Sequence, residues 1–92
     1  MPGDLTDLGA TMEIGMALVI LSAHAAGAAT PDQKVALKVL AHREVGPDAS
    51  GYVRTGDPTA LLDGIFDTMG PDYEPPEAVV GVLKKYDLRV SH

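Results

Sequence analysis

The stretch Ile14 to Ala29, IGMALVILSAHAAGAA, runs sixteen residues without a formal charge. An apolar run of this length has few uses. It is shorter than the roughly 20 residues a helix needs to cross a bilayer. It also lacks the basic flank of an export signal: Asp4, Asp7 and Glu13 are the charges ahead of it, and the first lysine is Lys34. The expectation is therefore a buried helix in a cytoplasmic protein, with no membrane partner. Its apolar residues do not keep to one stripe. Leu8, Met12, Met16, Val19 and Ile20 line one side, and Ile14, Leu18 and Leu21 lie off it. A helix apolar nearly all round belongs at the centre of a fold.

What packs around that helix has to be aliphatic. The 92 residues contain no cysteine and no tryptophan, and Phe66 is the single phenylalanine. Disulfides and thiolate metal sites are excluded, and a core of Ala, Val, Leu, Ile and Met suits close helix packing. Proline and glycine then divide the chain into four helices forming one domain. The first runs from about Asp4 or Thr6 to about Ala26. The second opens on TPDQ, with Thr30 as N-cap, Pro31 at the first helical position and Gln33 completing a capping box, and ends near Val45 before Gly46 and Pro47. Its Ala36, Leu37, Leu40 and Ala41 are expected to face the core, and Lys34, Lys38 and His42 to form a solvated edge.

Residues 46 to 57 have loop composition, pinned by Tyr52 and Val53. Asp57 and Pro58 repeat the cap pattern for a third helix carrying Leu61, Leu62, Ile65, Phe66 and Met69, which Gly70 and Pro71 end. The fourth begins at Pro75 or Pro76, with Val79, Val80, Leu83 and Tyr86 inward and Lys84 and Lys85 at its negative end. DLRVSH follows as an extended tail or a single strand. The fold class expected is all-α: a small four-helix bundle with the apolar N-terminal helix at its centre and a short irregular or extended C-terminal tail.

Chemistry is sparse. Thirteen acids against seven bases give a formal charge of −6, and Asp57, Asp63, Asp67, Asp72, Glu74 and Glu77 follow one another without an intervening base. Such a field repels phosphate backbones, which argues against nucleic acid as a partner. No two histidines stand at a spacing that shares a helical face, so His24 is expected to be buried and hydrogen-bonded rather than a ligand. Asp63 and Asp67 share a face at i, i+4. Without the alternating oxygens of a calcium loop they are expected to be a solvated acidic face, not a metal site.

Two short segments resemble known motifs. Arg54, Thr55, Gly56 and Asp57 resemble the core motif of adenylate-forming enzymes, in which the aspartate grips the nucleotide ribose. The resemblance covers four residues, and the local reading makes Asp57 a helix cap. Gly46, Pro47, Asp48, Ala49 and Ser50 resemble the G-x-D-S site of acyl carrier proteins with one residue inserted, which would imply phosphopantetheine on Ser50. The carrier is the alternative to the principal expectation: a noncatalytic interaction protein without cofactor, such as an adaptor, an inhibitor (a phage-encoded protein acting on a host factor is one example) or a small subunit. Its partner is another protein or a second copy, most simply in a homodimer, met through Met12, Gly15, Met16, Val19 and Ala23 of the first helix, where small residues permit close approach.

Overall fold

The computed structural model describes residues 8–44 and 58–91, and within them the chain forms four α-helices and no strand. They are α1 (Leu8–Ala28), α2 (Pro31–Glu44), α3 (Pro58–Met69) and α4 (Glu77–Lys85). The fold is all-α with bundle-like packing. α1 is central in that it touches each of the other three helices, while α2 packs on α3. The expected cap at Asp57, the loop anchors Tyr52 and Val53, both resembling motifs and Ser50 lie outside the described residues.

The turn between α1 and α2 takes only Ala29 and Thr30, and the capping box explains how so short a connection holds. The Thr30 N–H donates to Gln33 Oε1 at 2.9 Å and the Gln33 N–H donates to Thr30 Oγ1 at 3.2 Å, so two amides that lack helical partners satisfy each other's residue. Gln33 does more than cap its own helix. Its Nε2 donates to the Thr68 carbonyl at 3.3 Å, in the last turn of α3, where carbonyls have no intrahelical donor. One side chain thus ties the start of α2 to the end of α3. Thr30→Ala should lower stability by about 1 kcal/mol. Gln33→Ala should cost as much or more, because it removes both links, and Gln33→Glu should keep the cap and lose the link. Urea unfolding of the three variants checks the order.

Both later helices end in left-handed residues. Gly70, at φ 85°, follows α3, and its N–H donates to the Phe66 carbonyl at 2.9 Å. After α4 the left-handed residue is Asp87, at φ 57°. There the Leu88 N–H reaches the Leu83 carbonyl at 2.8 Å and the Asp87 N–H the Lys84 carbonyl at 3.1 Å, the paired bonds of a Schellman motif. This reversal turns the tail back, so that Leu88 and Val90 pack against the core.

Among the described residues the buried core is aliphatic apart from Phe66. It comprises Ile14, Ala17, Leu18, Leu21 and Ala25 of α1, Leu40 of α2, Leu61, Leu62, Ile65 and Phe66 of α3, and Val79 and Leu83 of α4. Ala36 and Ala41, expected inward on α2, are exposed, as are Val35 and Val39. The cause is that α2 meets the bundle along a narrow line through Leu40, with Leu37 half-buried beside it. On α4, Val82 rather than Val80 packs on the core together with Tyr86. The helix starts at Glu77, with Pro76 as an extended N-cap.

Candidate interaction surface

α1 buries one of its two apolar sides and leaves the other open. Ala10, Ile14, Ala17, Leu18, Leu21 and Ala25 form the buried arc, and their spacing of three and four residues keeps them on one face. On the opposite arc Met12 is 45% exposed, Met16 58%, Val19 41% and Ile20 48%, with Ala23, Ala26 and Gly27 also exposed. At about 100° and 1.5 Å per residue these seven lie within a strip roughly 120° wide and about 22 Å long. No charged residue falls on it. A helix that would look central from its composition therefore presents a second apolar face to solvent.

Of the residues expected to meet a partner, the structure places Met12, Met16, Val19 and Ala23 together on this strip. Gly15 is not among them: it is buried at the edge of the packed arc, so its small size serves packing within the chain. Ile20 belongs to the strip, one turn beyond Met16, and its spacing already linked it to Met16 in the sequence.

One long edge of the strip is closed by polar contacts, where Glu13 accepts hydrogen bonds from the Tyr86 hydroxyl and from Lys85 Nζ, the latter at 3.1 Å, which joins α1 to the end of α4. The Tyr86 hydrogen bond, then Lys85, holds the Glu13 carboxyl below the usual glutamate range. Each group's own hydrogen bond to Glu13 raises the Tyr86 phenol and the Lys85 ammonium above their ordinary values. Depressed in the folded state, Glu13 contributes stability that is complete above the unfolded-state value of about 4.3 and lost as the pH falls through the lower folded value. Raised in the folded state, Lys85 and Tyr86 contribute stability that is complete below about 10 and lost as the pH rises beyond it. Urea midpoints measured against pH should fall at both ends, and Glu13→Gln should flatten the acid limb relative to the parent. Equal acid limbs would show that the contact does not persist in solution.

His24 is exposed, not buried, because it stands on the flank of α1 where no helix covers it. Its expected hydrogen bond is present: Nδ1 lies 2.7 Å from the Tyr73 hydroxyl. Tyr73 packs toward Phe66, with ring centroids 6.5 Å apart, and partial burial raises its phenol above the usual value.

Asp63 and Asp67 are not a free acidic face either. Arg89, carried back by the reversal at Asp87, donates to Asp63 Oδ1 at 2.8 Å and to Asp67 Oδ1 at 3.2 Å. Its guanidinium carbon stands 5.7 Å from the centre of the Phe66 ring. One planar cation thus answers two carboxylates a helical turn apart and roofs the core phenylalanine. The i, i+4 acids were visible in the sequence, but their counter-ion lies more than twenty residues away and depends on a tail whose path no local signal gives.

No family model, no curated protein and no solved structure matches this chain. A functional reading accordingly rests on the surface itself.

Proposed function

We propose that this protein is a noncatalytic interaction module that works through the open strip of α1, and that a second copy of the chain is the first partner to test. The observation carrying this reading is the uncharged strip formed by Met12, Met16, Val19, Ile20 and Ala23, flanked by Ala26 and Gly27. Each of its four large side chains keeps about half its surface in water, so covering them is worth about 1 kcal/mol apiece. A second copy suits the charge. The chain carries −6 overall, yet the strip itself holds no acid and Glu13 on its edge is paired with Lys85, and Ala23, Ala26 and Gly27 let the two helix backbones approach closely. In this reading the protein works in the cytoplasm.

The twenty residues Gly9–Ala28 are also long and apolar enough to cross a bilayer by length and composition, with 39% of the segment buried within the protein. Glu13 within that segment and its ties to α4 favour a protein partner. Static light scattering over about a hundredfold range of concentration should show a dimer that dissociates on dilution. Met16→Lys with Ile20→Lys should give a monomer of unchanged helicity. A parent that stays monomeric throughout removes self-association. Flotation of the parent with neutral vesicles, abolished by the same two substitutions, would reassign the strip to a membrane surface.

A further inference from the structure

A second apolar feature lies beside the strip and differs from it in carrying charge. Where α1, α2 and α3 meet there is a cleft of about 270 Å³. Ala26, Leu37, Leu61 and Ile65 are among the residues that wall it, and Lys34 and Lys38 also line it. Among the described residues no acidic side chain lines it. Lys34 and Lys38 stand at i and i+4 on α2, so their side chains share one face of that helix, beside the cleft. Among the described residues neither has an ion-pair partner, whereas Lys85 and Arg89 are both engaged. In a chain with thirteen acids and seven bases, two lysines a turn apart, without a described ion-pair partner and beside an apolar hollow, run against the protein's overall charge.

We propose that this cleft binds a medium-chain carboxylate, its alkyl tail against Leu37, Leu61 and Ile65 and its head group held between Lys34 and Lys38. Size sets the tail. A dry cavity of about 150 Å³ accommodates benzene, so a hollow of this volume takes roughly ten carbons, too few for a two-chain lipid. Charge sets the head, since two point-like ammonium groups stabilise a compact anion and offer nothing to a cation. The inference does not depend on self-association, although Ala26 borders both surfaces.

Titration of the full chain with hexanoate, octanoate and decanoate, followed by amide chemical shifts, tests it. Affinity should rise about fourfold per added methylene, with the largest shifts at Leu37, Ala41, Leu61 and Ile65. Decanol should bind about five- to tenfold more weakly than decanoate. Lys34→Gln with Lys38→Gln should abolish that preference and retain the chain-length series. Ala26→Phe, a change at an exposed position, should plug the opening and remove binding, with the spectrum reporting an intact fold. The proposal is overturned by an absence of binding, by equal affinity for decanol and decanoate, by indifference to the lysine substitutions, or by shifts that cluster on Met12, Met16 and Ile20.

Discussion

Phe66→Ala is expected to remove about 3–5 kcal/mol of folding free energy. The side chain is wholly buried and is the only phenylalanine in the chain. Its neighbours in the core are aliphatic residues from all four helices, which are held by their own helix registers and can relax only partly into the space left behind. A second loss adds to the cavity. Arg89 stacks over this ring while it pairs with Asp63 and Asp67, so truncation exposes the underside of the tail contact as well. A domain of this size stands near the lower end of the usual 5–15 kcal/mol, and the variant should be substantially unfolded in mild denaturant. Phe66→Leu, which keeps most of the volume, should cost less than about 1.5 kcal/mol. Chemical denaturation followed by far-UV circular dichroism gives both values. A loss below about 1 kcal/mol for alanine would mean that this residue is not at the centre of the packing.

How far the sequence reaches can be judged residue by residue. The helices were legible because proline, glycine and capping residues act locally: Thr30, Pro31 and Gln33 mark the start of α2 in the sequence and make those bonds in the structure. The orientation of α1 was not. Both of its arcs are apolar, so periodicity alone does not say which one is buried. The structure selects the arc where Ala10, Ala17 and Ala25 alternate with Ile14, Leu18 and Leu21, because alanines between branched side chains let neighbouring helices come close. The longer, more adaptable Met12 and Met16 are left on the open side. Four of the five expected partner-facing residues share that side, while Gly15, also small, goes with the packed one. Arg89 was illegible for a different reason. Its role depends on Asp87 adopting φ 57°, a conformation that aspartate tolerates but does not announce, and on where the returning tail meets α3.

Gly64 is the position where a single methyl group should have the most specific effect. In the sequence it is a helix-weakening residue in the middle of α3, with no capping or turn to account for it. In the structure it faces Leu40: a Cβ placed there would lie 2.5 and 2.7 Å from the two Leu40 methyl carbons and 3.1 Å from its Cγ. α2 therefore lies against the bare backbone of α3, and Leu40, 5% exposed, is the buried side chain of α2 among the described residues. Gly64→Ala improves helix propensity by about 1 kcal/mol but forces Leu40 out of its position, for a net loss of about 1–2 kcal/mol. Gly64→Val, with two further carbons at the contact, should lose about 3 kcal/mol. Leu40→Ala alone should cost about 2–3 kcal/mol, since the residue is held mainly on this one side. In that background the sign reverses: with the leucine methyls gone, Gly64→Ala should stabilise by about 1 kcal/mol, from propensity and from refilling the vacated space. The four proteins form a double-mutant cycle with a coupling of at least about 2 kcal/mol. Additive effects would show that α2 and α3 do not meet at this glycine, and α2 would then lack the contact that seats it in the bundle.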